Sequence, residues 1–191
     1  MKYISLFSGV EAASLAWGPL GWEPVAFAEI EPFPAAVLAA RWPDVPNLGD
    51  ITKVDWRQYR GAADVVVGGS PCQSFSVAGL RGGLDDPRGN LALEYLRAVD
   101  AIRPTWVVWE NVPGALSSGR GRDFGAILGA LGQLGYGFAW RVLDAQYFGV
   151  PQRRRRLFVV SHSGADWRRA GAVLIERQSL LRHPAPSREA G

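Results

Sequence analysis

The sequence is poor in the residues that build disulfides and metal centres. Its 191 residues include one cysteine, Cys72, and two histidines, His162 and His183. One thiol excludes an internal disulfide, and two histidines without spaced partners make no ligand set, so no metal is expected. Lysine is nearly missing as well: Lys2 and Lys53 are the only two, and the remaining positive charge is arginine. No apolar run is long enough to span a bilayer. The opening Met1-Lys2-Tyr3-Ile4-Ser5-Leu6-Phe7 goes straight into a strand-like run without a leader pattern. The expectation is a cytoplasmic, reducing location in a bacterial or phage-infected cell, where a lone thiol stays free.

What is present suits one α/β domain with a proper core: 48% of residues are hydrophobic and 20% charged. The formal net charge of +3 is compatible with a polyanionic partner without requiring one. Arginine makes planar, bidentate contacts to phosphates and bases. A GC-rich genome would account for the same bias, together with the abundance of Ala, Gly and Trp.

The most informative stretch is Val65-Val66-Val67-Gly68-Gly69-Ser70-Pro71-Cys72-Gln73-Ser74-Phe75-Ser76. A buried β-branched run ends in two glycines and then a Pro-Cys pair. Parallel α/β sheets carry their chemistry at the carboxyl ends of strands, which is where Cys72 falls. A lone cysteine is ordinarily a small buried hydrophobe. Against that, Pro71 fixes the backbone beside the thiol and the glycines permit a tight turn.

The other segments can be read in order. Tyr3 to Phe7 predicts a strand, Ser8-Gly9 a turn, and Glu11 to Leu20 a helix. This is a Rossmann-like opening without the GxGxxG fingerprint, and Glu11 would repel a phosphate. Pro24 to Ile30 predicts a second strand ending in Glu29-Ile30-Glu31, where a carboxylate either accepts from ribose hydroxyls or caps the helix from Phe33 to Trp42. Asn47 to Ile51 predicts a short third strand, with Asp50 accepting from an exocyclic amine or capping a turn. The glycine-rich stretch from Gly79 to Asn90 reads as a lid or as plain surface. Leu91 to Ile102 predicts an amphipathic helix.

Thr105 to Trp109 predicts a strand leading into Glu110-Asn111-Val112-Pro113, so Glu110 and Cys72 can face one cleft. A helix over Asp123 to Leu134 and a strand over Phe138 to Leu143 follow, with a turn over Tyr147 to Pro151. Gln152-Arg153-Arg154-Arg155-Arg156 then runs into the strand Leu157 to Val160. Period-two alternation places Arg154 and Arg156 on one side, facing solvent or holding a phosphate or base carbonyl. Asp166 to Leu181 reads as helical or irregular.

Taken together, these motifs resemble the cytosine-C5 DNA methyltransferase family, in order, from Tyr3 to about Ser161. Phe7-Ser8-Gly9 resembles its first motif, Pro71-Cys72-Gln73 its nucleophile motif, Glu110-Asn111-Val112 its base-binding motif, and Gln152 to Arg156 its Gln-Arg-x-Arg motif. The resemblance implies a Rossmann-like S-adenosylmethionine-dependent methyltransferase domain, a mostly parallel sheet with helices on both faces. It assigns Phe7, Ser8, Gly9, Glu29, Ile30, Asp50, Ile51, Pro71 and Leu91 to the cofactor. It assigns Cys72, Glu110, Arg154 and Arg156 to catalysis, and Gln73, Ser76, Asn111, Val112 and Gln152 to the target base and DNA.

The implied reaction is methylation of cytosine C5 in double-stranded DNA. Cys72 adds to C6 of a flipped base, Glu110 holds the N3 and amino edge, Arg156 holds the carbonyl, and Arg154 holds a phosphate or the surroundings of Cys72. A tRNA cytosine methyltransferase and a non-catalytic cofactor- or DNA-binding subunit are the alternatives. Ala12 and Ala13 depart from the family's glycines. Nothing after Ser161 resembles its target-recognition domain or last motif. Residues 1–163 are therefore expected to form the catalytic domain and 164–191 an extension leading to a missing recognition domain, the chain being a fragment, half of a split enzyme whose second chain carries recognition, or a degenerate gene.

Overall fold

A computed structural model describes residues 1–71 and 91–175. Cys72, Gln73, Ser76 and the Gly79 to Asn90 stretch lie outside the described residues, as does everything after Ile175.

Six strands form one sheet: β1 (Lys2–Leu6), β2 (Glu23–Ala28), β3 (Val65–Gly68), β4 (Trp106–Asn111), β5 (Tyr136–Asp144) and β6 (Arg155–Ser163). Their spatial order is β2-β1-β3-β4-β6-β5. β1 pairs in parallel with β2 and β3, and β3 with β4. β6 runs antiparallel to both β4 and β5. The sheet is mostly parallel, as the motif order implies. The start of β6 therefore lies at the same edge as the carboxyl ends of β1 to β4, since Asn111 pairs with Leu157 and Leu6 with both Ala28 and Gly68.

Among the described residues five helices cover the sheet: α1 (Ala12–Trp17), α2 (Pro32–Arg41), α3 (Leu91–Ile102), α4 (Arg122–Gln133) and α5 (Trp167–Leu174). Strand alternation separates the two faces. Ile4, Leu6, Val66, Val107, Trp109, Leu157 and Val159 join α3 and α4 in the main core. On the opposite face, α5 packs Ala170 and Leu174 against Val160, with Trp106, Val108 and Phe158 alongside. α1 covers the same side further along, where Trp17 meets the ring of Tyr3 edge-on. Helices on both faces explain why β3 and β4 read as continuous apolar runs.

α3 is the central helix. Leu93, Tyr95, Leu96, Val99 and Ile102 are all buried, and each large side chain contributes about 1.5–3 kcal/mol by leaving water. α2 begins at Pro32, the residue best suited to a first helical position. α5 packs on β5 and β6, and Arg141 Nη1 donates to the carbonyl of Leu174 at 3.0 Å.

Two expectations need correction. Asn47 to Ile51 is not a strand. Only an isolated parallel bridge between Phe27 and Asn47 forms there, and Ile51–Lys53 is a 3-10 turn capped by Asp50. Asn47 is taken up by side-chain bonds instead: its Oδ1 accepts from the N–H of Glu29 at 3.0 Å and its Nδ2 donates to the carbonyl of Glu29 at 3.1 Å. The helix expected from Glu11 to Leu20 stops at Trp17 and tightens to a 3-10 turn over Gly18–Leu20, where Pro19 cannot donate.

Candidate functional site

The carboxyl edge of the sheet gathers two groups of side chains. The first lies over β1 and β2. The chain leaves β1 through Phe7, Gly9 and Glu11, all with left-handed backbone (φ 53, 56 and 64°). Two of these are not glycine, and such strain collects where a backbone must hold a ligand. The turn is pinned to β2 on both sides. Ser8 N–H donates to the carbonyl of Ala28, and Ala28 N–H donates to Ser8 Oγ. Gly9 N–H donates to Glu29 Oε2 at 2.7 Å, and Glu31 N–H to Glu29 Oε1 at 2.7 Å.

Each carboxyl oxygen of Glu29 thus accepts from one backbone donor. A carboxylate has roughly four acceptor positions, so it retains capacity for two hydroxyl donors. Ile30 beside it is 65% exposed, an apolar face ready to cover a ring. The Asp50 carboxylate caps Thr52 and pairs with Lys53 at 3.4 Å; its hydrogen bonds from Thr52 pull it below the usual carboxylate range. Ile51 is buried behind it.

Glu11 does not face this cradle. It is 1% exposed and turned beneath α1, where its Oε1 accepts from Ser14 N–H at 3.0 Å and from Ser14 Oγ at 3.1 Å. The Ser14 hydroxyl is shared with Tyr3 Oη. Repulsion of a ligand by Glu11, expected from its place in the sequence, is therefore replaced by a structural role. The positive φ is what turns the side chain inward, and no sequence pattern announced it.

Burial pushes the Glu11 carboxyl above its ordinary value, and bonds from Ser5 and Ser14 offset only part of that. The folded state then holds a proton that the unfolded chain releases. The Glu11 contribution to stability is fully present below the ordinary glutamate range and is lost as pH rises through the raised value. Glu11→Gln keeps the shape without the charge. It is expected to melt a few degrees higher than the parent at pH 8, with the gap closing at pH 4. Thermal denaturation across that range checks this; a constant gap would remove the carboxyl from the account.

The second group lies over β3, β4 and β6. Glu110 projects from the face of β4 that β6 shares through Arg156, because Glu110 pairs with Phe158 two residues further on. Arg156 Nε lies 2.9 Å from Glu110 Oε1, and Arg154 Nη2 lies 3.7 Å from the same oxygen. Both arginines thus reach one carboxylate from one side, the arrangement that alternation along the strand implies. Arg154 is set by its own backbone, whose N–H donates to Asp144 Oδ1 at 3.1 Å. The three side chains are 24–49% exposed, so they form an open polar patch rather than a sealed ion pair.

Gly69 lies directly beneath Glu110. A Cβ on it would stand 2.8 Å from Glu110 Oε2 and 3.1 Å from the Glu110 carbonyl oxygen. Ser70 is buried and Pro71 exposed. Leu91, half-buried, opens α3. Gln152 is exposed and lines an open hollow of about 570 Å³ with Val150, Pro151 and Arg153. Asn111 is placed differently from the rest: it is 4% exposed, its Nδ2 donates to the carbonyl of Ser70, and its Oδ1 accepts from Val112 N–H. Its amide is spent inside the protein. Among the described residues no cluster of His, Cys, Asp or Glu is placed to hold a metal ion, and no helix is long and apolar enough to cross a membrane.

Known proteins match this arrangement. The family model for C-5 cytosine-specific DNA methylase matches residues 1–183. A protein of Escherichia phage P1, named DNA N-6-adenine-methyltransferase, is 46% identical over 98% of this chain and 32% of its own length. The type II methyltransferase M.AquIA of Picosynechococcus is 38% identical over 84% of this chain and 71% of its own length. An orphan methyltransferase of Bacillus phage SPR is 36% identical over 84% of this chain and 37% of its own. This chain thus spans about a third of the two phage relatives. Among solved structures, a prophage-encoded DNA modification methyltransferase of E. coli and the Spodoptera frugiperda DNMT2 each superpose with a TM-score of 0.70 at 24% identity, over 85% of this chain and 47% and 50% of their own. The adenine specificity in the phage P1 name belongs to a much longer protein, whereas the family model follows this chain nearly end to end. The chain belongs to the C-5 cytosine-specific DNA methylase family.

Proposed function

We propose that this chain is the catalytic part of an enzyme that methylates cytosine at C5 in double-stranded DNA, with S-adenosylmethionine as donor. The observation that carries this reading is the Glu110 carboxylate, held by Arg156 and Arg154 over Gly69 at the sheet edge where the chain runs on to Cys72.

The β1–β2 cradle fits the donor: Glu29 has free acceptor positions for ribose hydroxyls, Ile30 offers an exposed apolar surface for a purine, and Asp50 lies next along the edge for an exocyclic amine. When bound, S-adenosylmethionine supplies an electrophilic methyl group. The chain's own residues prepare the base. Cys72 as thiolate adds to C6 of cytosine, and the electron pair of the C5–C6 double bond moves onto C5, the carbon to be methylated. Glu110 engages the N3 and amino edge, which a carboxylate can do only by carrying a proton in that step. Arg156 turns from Glu110 to the base carbonyl, and Arg154 reaches a phosphate. After transfer, a base removes the C5 proton and the Cys72 sulfur leaves C6, restoring the ring. The carbon attacked is closed off inside a duplex, so the base must swing out, costing a few kcal/mol.

Because this chain spans only about a third of its phage relatives, we further propose that a separate polypeptide, or a continuation of this one, contributes DNA recognition. We place such an enzyme in the cytoplasm, a reading supported by relatives from bacteria and phages. The test is incubation of the purified chain with methyl-labelled S-adenosylmethionine and unmethylated duplex DNA, alone and with a chain carrying a recognition domain. Label recovered as 5-methylcytosine is expected. Label on adenine, or on tRNA but not DNA, would overturn the reading.

A further inference from the structure

Glu110 has neighbours on β4, Trp109 and Asn111, whose side chains point to the opposite face of the sheet and are 1% and 4% exposed. Both reach a single residue. Trp109 Nε1–H donates to Ser70 Oγ at 3.1 Å, and Asn111 Nδ2–H donates to the Ser70 carbonyl at 3.0 Å. Ser70 is itself 4% exposed. The backbone ladder between β3 and β4 ends one step earlier, at the pair Gly68–Trp109. Beyond it the two strand ends are joined by these side-chain bonds, and Gly69 lies between them with its missing Cβ under the Glu110 carboxylate.

We propose that Ser70 is a positioning residue for Glu110: by binding Trp109 and Asn111 at once it fixes the end of β4, and with it the carboxylate that Arg156 and Arg154 address. The catalytic consequence rests on the methyltransferase reading; the geometric one does not. A serine suits the place because it accepts an indole N–H without adding bulk beside Gly69. Alanine would take the Ser70 acceptor away from a buried N–H, and with it a bond that helps hold the ring in place. A shift of Trp109 moves the next residue, and misplacement by about 1 Å can cost up to a hundredfold in rate.

The test uses the full chain, with its recognition partner if turnover requires one. Ser70→Ala is expected to lower kcat about tenfold while S-adenosylmethionine affinity stays within twofold, and Ser70→Thr, which keeps the hydroxyl, is expected to recover most of the rate. Independently of turnover, the ¹³C resonance of the Glu110 carboxylate, assigned with Glu110→Gln, should move in Ser70→Ala and return in Ser70→Thr. The Trp109 indole N–H should exchange faster in Ser70→Ala. Trp109→Phe, which deletes the donor and leaves a smaller ring in the core, should move the Glu110 signal in the same way, and it serves as the second variant if Ser70→Ala does not fold. An unmoved Glu110 resonance in these variants overturns the proposal, because a purely structural role predicts lower stability with that signal unchanged. If the parent chain methylates no cytosine, the methyltransferase reading fails alone and the resonances still decide the role of Ser70.

Discussion

Cys72→Ala is expected to bind S-adenosylmethionine as the parent does and to transfer no methyl group to cytosine, a loss of at least ~10⁴-fold by comparison with other enzymes stripped of their nucleophile. The size follows from the chemistry. Without addition at C6, C5 of cytosine is a poor nucleophile, and no other thiol exists in the chain to replace Cys72. The selectivity follows from the layout. The Phe7 to Gly9 turn and Glu29 are fastened to one another across β1 and β2, through Ser8, Ala28 and Gly9. None of those bonds runs through the strand leading to Cys72. Equilibrium binding of labelled cofactor, measured beside turnover on duplex DNA, separates the two effects. Parent-like turnover in the variant would sink the covalent mechanism. Because the thiol is single, alkylating it in the parent should give the same loss, and prior binding of DNA should slow that alkylation.

The parts of this site that could be read from the sequence are those encoded by short-range pattern. The run Val65 to Gly69 reads as a buried strand followed by a turn because β-branched residues and glycines say so within five positions. The helix from Leu91 to Ile102 reads correctly to the residue because its apolar positions repeat at helical spacing. That Arg154 and Arg156 reach one partner follows from a period of two. Other features are long-range or conformational and leave no local mark. Ser70 and Trp109 are 39 positions apart, and nothing near either names the other. The inward turn of Glu11 depends on a left-handed backbone at a residue that rarely adopts it. Asn47 to Ile51 misleads because its one bridge to Phe27 is real but isolated, while the Asn47 side chain takes over the bonding that a strand's backbone would have made. Read along the chain, Asn111 sits beside Glu110 as an equal partner; in the fold, the pleat sends it to the other face.

Gly68→Ala is expected to destabilise the fold by roughly 3 kcal/mol, at the upper end of overpacking in a closed core, which for a chain of this size corresponds to a fall in melting temperature of about 6–12 °C. Gly68 ends β3 between Leu6 of β1 and Trp109 of β4. A Cβ there would overlap the carbonyl oxygen of Leu6, and it would stand 3.0 Å from that residue's Cβ. The obstacle is main chain in the middle of a sheet, so no rotamer relieves it and β1 and β3 must part. Gly9 supplies the contrast. A Cβ at Gly9 meets nothing within 4 Å, so Gly9→Ala pays only for its left-handed backbone, φ 56°, about 1–2 kcal/mol. Thermal melts of the two variants, followed by circular dichroism, are expected to rank Gly68→Ala well below Gly9→Ala. The reverse order, or a Gly68→Ala melt within 2 °C of the parent, would mean that the strands yield there. The sheet edge carrying both Glu29 and Glu110 would then be softer than its hydrogen bonds imply. The functional corollary is sharper still, since β3 joins the Glu29 cradle on β1 and β2 to the polar patch on β4 and β6. Parting β1 from β3 moves one half of the site against the other. Gly68→Ala at temperatures below its melt should therefore lose methyl transfer out of proportion to its loss of folded protein, whereas a fall in rate that merely tracks the folded fraction would show that the two halves of the site need no fixed spacing.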